Sequence, residues 1–397
     1  MATLPRPVRL DKLSGLRNAL RPERLPPGSL TQANNVDSDD SGTVERRDGY
    51  AQSMALTNCQ AAYATVAGDR LFLVEDGALY SCDSDLSKSK LADGITDLTL
   101  AWCEAPPMVF YAGTRDAGVI LRGLEYRSLR LPSLGTPAVV AVAGNLYPGQ
   151  YQVTYILVDK TTLQETAAPP AAVIELVESQ GLHVNAPILD GYETMIYLSE
   201  PNGDRLYYAG TGSGVFTDPT ALIDLAHPLH DEQYAMNNLP ENVTALAWHE
   251  GRLFAATAMP EDAQSVVWFS QPFWPTMYNL AADYFLVDGA VCALASTQAG
   301  LLIGTEKALW LYTPDEALQR LTQFGVVPGY PISQDRDGLH YVWTVKGLYS
   351  FPPLTPITEG KAYVAPGRVC STAVVERRGR KQVIALTDGG GDAFNPY

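Results

Sequence analysis

Gly68-Asp69-Arg70-Leu71-Phe72-Leu73-Val74-Glu75-Asp76-Gly77-Ala78-Leu79-Tyr80 reads as two short apolar runs joined by a tight link. Asp and Gly at Asp76-Gly77 supply the positive φ that a two-residue hairpin turn requires. The unit returns as Gly251-Arg252-Leu253-Phe254-Ala255-Ala256 and Gly300-Leu301-Leu302-Ile303-Gly304-Thr305. It appears again as Gly338-Leu339-His340-Tyr341-Val342, followed through Lys346-Gly347 by Leu348-Tyr349-Ser350. The late units start roughly 40 to 50 residues apart, the spacing of β-propeller blades built from four antiparallel strands. Nowhere does a 3.6-residue period persist. These features predict an all-β chain.

The rhythm breaks between residues 136 and 226. Gly149-Gln150-Tyr151-Gln152-Val153-Thr154-Tyr155-Ile156-Leu157-Val158-Asp159 alternates and then turns continuously apolar, as a strand in a packed sandwich does. Ala172–Leu176, Leu182–Val184, Met195–Ser199 and Leu206–Ala209 supply further strands. Turns at this density over roughly 90 residues fit an immunoglobulin-like or fibronectin-III-like sandwich. The Cys…Trp…Cys pattern of antibody domains is absent, which favours the fibronectin type. The expected division is therefore an extended arm with a first strand (1–50), a first propeller part (51–135), the inserted sandwich (136–226) and a second propeller part (227–397). The residues outside arm and sandwich suffice for about six blades.

Composition narrows the function. Of 397 residues, 46% are hydrophobic and 18% charged, which excludes a disordered chain. Gly (33), Pro (28) and Tyr (21) suit many short strands joined by turns. Lys plus Arg number 28 against 44 Asp plus Glu, for a net charge of -16. Such a balance opposes binding by phosphate neutralisation and docking on anionic lipid. No apolar run approaches the roughly 18 residues that span a bilayer. The first residues lack the apolar core of a secretory signal, so synthesis in a reducing cytosol is expected. Cys59, Cys82, Cys103, Cys292 and Cys370 are scattered and odd in number, which fits free thiols and neither a disulfide framework nor a zinc site.

One short segment has metal-like spacing. Across Asp37–Asp48, oxygen-bearing Asp37, Asp39, Ser41, Glu45 and Asp48 fall where a Ca²⁺ loop places its ligands, around Gly42. Asp48 is shorter than the usual bidentate Glu, Arg46 and Arg47 add positive charge, and no helices flank the loop. A tight hairpin demands the same Asp and Gly. Ser38, Asp40 and Gly42 touch the sialidase Asp-box, yet Glu45 stands where its Trp belongs. His227 and His230 are split by Pro228, which prevents a helix from aligning them. No nucleophile elbow, zinc-protease helix, Walker loop or dinucleotide fingerprint occurs in the sequence. The expectation is a protein that is not an enzyme and uses no cofactor. The aromatic segment Ser265–Pro275, with Trp268 and Trp274, reads as a blade strand and capping loop, or alternatively as a sugar-stacking platform.

Charge is distributed unevenly. Arg6, Arg9, Lys12, Arg17, Arg21 and Arg24 face only Asp11 and Glu23 in the opening segment of an otherwise acidic chain. With Pro26-Pro27-Gly28 following, this stretch reads as an arm laid over an acidic neighbour, on its own body or on another subunit.

In order, Ala33-Asn34-Asn35-Val36, Glu45-Arg46-Arg47-Asp48-Gly49-Tyr50, Gly149-Gln150-Tyr151 with Glu165-Thr166-Ala167, Tyr197–Gly203, Leu246–Phe254 and Trp268–Pro272 form a series. As an ordered set it resembles the nozzle proteins of short-tailed bacteriophages, also called tail tubular protein B or packaged-DNA-stabilisation proteins. The resemblance implies a structural virion protein made in the bacterial cytoplasm and located in the tail. It further implies a hexamer, below the portal and adaptor and beside tail fibre or needle proteins, that retains the packaged genome and conducts DNA during ejection. Six copies at -16 each carry about -96, and a negative lumen lets DNA pass without adhering. The alternative function is a carbohydrate-binding or carbohydrate-cleaving propeller acting as a receptor-binding tail protein.

Overall fold

Hairpin turns set the architecture. The structure, a computed structural model, describes residues 12–34, 36–38, 42–47, 51–130, 134–161, 163, 165–219, 224–229, 238–313, 315–377 and 380–389. Among the described residues there is no α-helix, and the chain is all-β. Asp76 (φ 49) with Gly77 (φ 75), and Glu250 (φ 48) with Gly251 (φ 76), take the paired left-handed conformations of type I′ turns. Each turn joins strands in direct register, Glu75 opposite Ala78 and His249 opposite Arg252.

A small hairpin comes first, β1 (Val36–Ser38) and β2 (Val44–Arg46). The first four-stranded meander follows: β3 (Cys59–Ala64), β4 (Leu71–Glu75), β5 (Ala78–Cys82) and β6 (Lys88–Asp93). The second is β7 (Ala101–Ala105), β8 (Met108–Ala112), β9 (Ala117–Ile120) and β10 (Tyr126–Ser128).

The chain then forms two sheets of a different kind. One is three-stranded: β11 (Ala138–Ala143), β14 (Gln180–Asn185) and β17 (Gly214–Phe216). The other, five-stranded, contains β12 (Gly149–Asp159), β13 (Ala172–Leu176), β15 (Tyr192–Ser199), β16 (Leu206–Thr211) and β18 (Asp224–Pro228). Tyr151, Val153, Leu182, Val184, Ile196 and Leu198 form one apolar cluster between the two sheets.

Three further meanders complete the series. The third is β19 (Val243–His249), β20 (Arg252–Met259), β21 (Gln264–Phe269) and β22 (Tyr284–Asp288). The fourth is β23 (Val291–Thr297), β24 (Gly300–Thr305), β25 (Leu309–Thr313) and β26 (Glu316–Arg320). β27 (Gly329–Tyr330) precedes the fifth, made of β28 (Ile332–Gln334), β29 (His340–Thr344), β30 (Gly347–Phe351) and β31 (Thr355–Pro356). A closing hairpin, β32 (Val369–Arg377) and β33 (Arg380–Asp388), adds to β27, with β27 and β32 parallel. Five four-stranded meanders are thus described, against about six expected from length. The difference arises because β32 and β33 join β27 in a separate three-stranded sheet.

Consecutive meanders pack through apolar clusters with an aromatic pair at each joint. Tyr63 stacks on Trp102 at 5.6 Å between the first and second, and Phe110 on Trp248 at 5.6 Å between the second and third. Phe285 stacks on Tyr312 at 4.3 Å between the third and fourth, and Phe324 tilts against Tyr349 at 5.3 Å before the fifth. Each such pair adds about 0.5–1.5 kcal/mol beyond the area it buries. β19 lies beside β7 on one side and β23 on the other, so the opening strands of the second, third and fourth meanders are neighbours. Two polar bonds reach back along the chain: Tyr330, on β27, donates to the Leu100 carbonyl just before β7 at 2.6 Å, and Arg336, in the fifth meander, to that of Ala67 in the first at 3.2 Å.

Candidate functional site

The opening segment is anchored by one asparagine. Within the arm, Arg6 and Arg9 lie outside the described residues, while Lys12, Arg17, Arg21 and Arg24 are described. Leu16 bridges Leu30 in parallel, and the Leu13 amide donates to the Gly42 carbonyl at 3.1 Å. Asn18 is fully buried. Its amide group donates to the Tyr363 carbonyl at 2.9 Å and accepts from the Tyr363 N–H at 2.6 Å. The arm is therefore tied to the loop that follows the fifth meander. The sequence carries no signal for this tie, because Asn18 meets its partner only after the rest of the chain has folded.

In the metal-like segment, the backbones of Asp37 and Glu45 pair directly across the β1–β2 hairpin. Asp39, Ser41, Asp48 and the side chain of Asp37 lie outside the described residues. No group of three metal-ligating side chains occurs among the described residues. His230 also lies outside them.

Where the second meander, the five-stranded sheet and the third meander meet, there is a cavity of about 230 Å³. Met108, Phe110 and Leu121 give it an apolar wall; Arg127, Asp159 and Thr276 give it a polar rim. Arg127, on β10, donates to Thr161 Oγ1 at 2.7 Å, pairs with Glu125, and holds Nε 3.5 Å from Asp159 Oδ2. Across the rim, the Thr276 hydroxyl approaches the Glu165 carbonyl at 3.5 Å. The arrangement fastens the two-sheet unit to the meanders on either side of it in sequence. Arg130 does comparable work nearby: its guanidinium donates to the carbonyls of Arg115 (2.7 Å) and Leu239 (2.6 Å).

A second concavity, about 480 Å³ and open to solvent, lies at the outer edge of the third meander. Trp268 and Tyr284 are cross-strand partners with rings 5.2 Å apart, and Val266 and Leu286 form the adjacent row. Met259 and Leu280 complete the apolar surface. The Trp268 indole N–H is already given to Thr257 Oγ1 at 3.0 Å. Trp274, the other tryptophan of the aromatic segment, sits in the turn after β21 and bridges Gln271.

Burial shifts the thiols and two of the histidines. Burial pushes all five thiols up, Cys292 to about 11 and Cys370 to about 12, so the nucleophilic thiolate is scarce at neutral pH. Burial lowers His249 and His340, against the opposing pull of Glu250 and Asp335 respectively. His249 gives or accepts one bond, Nδ1 to Ser296 Oγ at 2.9 Å. No helix of the described residues is long and apolar enough to cross a membrane.

No protein-family model and no curated protein matches the sequence. Among solved structures, the chain is similar to the extracellular domain of a hybrid two component system from B. thetaiotaomicron, with 12% identity and a TM-score of 0.31. That alignment covers 85% of this chain and 38% of the other, so the chain spans well under half of that protein domain. A functionally unknown protein from Desulfotomaculum acetoxidans aligns over 74% of this chain and 82% of its own, at 8% identity and a TM-score of 0.31. Hsv2 of Kluyveromyces lactis aligns over 74% and 72% respectively, at 8% identity and a TM-score of 0.28.

Proposed function

We propose that the chain is a structural component of a bacteriophage tail, a nozzle protein whose copies ring the DNA channel, retain the packaged genome and conduct it during ejection. In this reading the five meanders are the blades of a β-propeller, and the two sheets over residues 136–226 are a sandwich inserted between its second and third blades. The supporting observation is the serial packing of meanders through aromatic joints, with Arg336 bonding from the fifth back to the first and Tyr330 of β27 to Leu100 between the first and second. A unit braced in this way is a rigid wall element, and the rim of Arg127 and Thr276 holds the inserted module against it. The ordered series of motifs gives the wall its place in a tail. The net charge of -16 suits a lining that phosphate slides past.

Electron microscopy of the parent particle, with an antibody against this chain, tests the reading. Label at the tail below the portal, on a six-fold ring, is the expected result. Particles that carry no label there, or a purified chain that turns over an oligosaccharide, would overturn it.

A further inference from the structure

The open groove on the third meander has a free backbone edge as well as apolar walls. β22 is the last strand of its sheet, and no strand among the described residues pairs with its outer side. Tyr284, Leu286 and Met259 are 42%, 48% and 36% exposed, a cluster of large apolar groups that a solitary surface rarely leaves bare. An exposed edge beside alternate-residue pockets is what an added extended strand binds, main chain to edge and side chains to groove.

The rim selects the occupant by charge. Glu261 and Asp262 are exposed in the turn that follows Met259; Asp288, at the same end of the sheet, is already paired with Lys307 at 2.8 Å. The acidic turn of Glu261 and Asp262 at one end of an apolar floor suits an extended segment that is both apolar and basic. This chain carries one: Leu4-Pro5-Arg6-Pro7-Val8-Arg9-Leu10. In a strand, Leu4, Arg6, Val8 and Leu10 would share one face, the three apolar groups against Leu286 and the Trp268–Tyr284 pair and the Arg6 stem along them with its charge turned to the rim. Pro5 and Pro7, two apart, share the opposite backbone edge. The N–H groups of Leu4, Arg6, Val8 and Leu10 therefore all turn toward β22, and the prolines block any further strand.

We infer that this groove receives residues 4–10 of a second copy, linking neighbours by strand addition. The assignment rests on the ring reading above, which supplies the neighbour.

The test uses a fluorescein-labelled peptide of residues 1–12, titrated with the full-length chain bearing Arg6→Glu and Arg9→Glu so that its own arm does not compete. Saturable anisotropy at micromolar concentration is expected, weakened at least tenfold by Leu286→Lys in the protein or by the two Arg→Glu changes in the peptide. No saturation, or equal affinity for the Leu286→Lys protein at an unchanged melting temperature, would overturn the site. To establish the second copy, the arm variant (intact groove) is mixed with full-length Leu286→Lys protein (intact arm). Light scattering should then show a one-to-one pair that neither forms alone; two monomers would overturn exchange between copies. Rings on particles without peptide binding sink only the docking site, and peptide binding without rings sinks only the tail reading.

Discussion

Lys381 on the closing hairpin places Nζ 2.9 Å from Asp335 Oδ2, across 46 residues of chain. Asp335 Oδ1 meanwhile accepts from the N–H groups of Asp337 (2.9 Å) and Leu339 (3.0 Å). Burial pushes the Asp335 carboxyl up, but these bonds outweigh it and hold the group below the usual carboxylate range. A carboxyl lowered on folding stabilises above its unfolded value of about 3.9, and that contribution disappears as pH falls further. Asp335→Asn should cost about 2 kcal/mol at pH 7. It should also flatten the acid limb of a melting-temperature profile below pH 4 and speed amide exchange in residues 369–388.

The buried histidines act in a different pH window. His249 and His340 are pushed down by burial, so the unfolded chain takes up protons first, near the ordinary value of about 6.5. Stability therefore falls as pH drops from 7.5 to 5.5. Calorimetry across that range should show a declining melting temperature. His340→Gln should shallow the decline.

Asn18→Ala removes both bonds to Tyr363 and strands its N–H and carbonyl. About 2 kcal/mol of local stability should be lost. Because the loss is local, trypsin should cut after Arg24 several-fold faster while the main melting transition shifts little.

Much of this was readable in the linear order of residues. The strands at Leu71–Val74, Ala78–Tyr80, Leu301–Thr305 and Leu348–Ser350 follow from glycine turns and short apolar runs, which act over neighbouring residues. The Lys381–Asp335, Asn18–Tyr363 and Arg127–Thr161 bonds were not readable, since each joins elements whose meeting depends on the whole fold. The parallel pairing of β27 with β32 was not readable for the same reason. At the groove, Ser265–Pro275 was legible as an aromatic segment. The free edge of β22 was not, because an unpaired edge is a property of sheet order.

Arg130 offers a sharper test of the second joint. Its guanidinium serves carbonyls on Arg115 and Leu239, 109 residues from Arg130 in the latter case. Arg130→Met keeps the stem and deletes the donors, leaving carbonyls unpaired at a cost of about 2–3 kcal/mol. Denaturant titration should register the loss. Arg130→Lys should recover only part of it, for want of the fork.

Thiol chemistry follows exposure and burial together. Cys59 is the exposed thiol, Cys292 is half-buried, and Cys82, Cys103 and Cys370 are buried. With Ellman's reagent at pH 8, Cys59 should react within minutes and the buried three only after unfolding. Rapid reaction of four or five thiols in the native protein would contradict the packing described.

The bond from Tyr330 to Leu100 bridges 230 residues, whereas every meander is assembled from strands adjacent in sequence. During synthesis each meander can form as it leaves the ribosome, but Leu100 must wait for nearly the whole polypeptide before its acceptor is taken. Translation itself thus imposes an order of events, in which this clasp can close only after the first four meanders have been made. A ribosome stalled before Tyr330 would release a chain whose finished parts have not yet been fastened together.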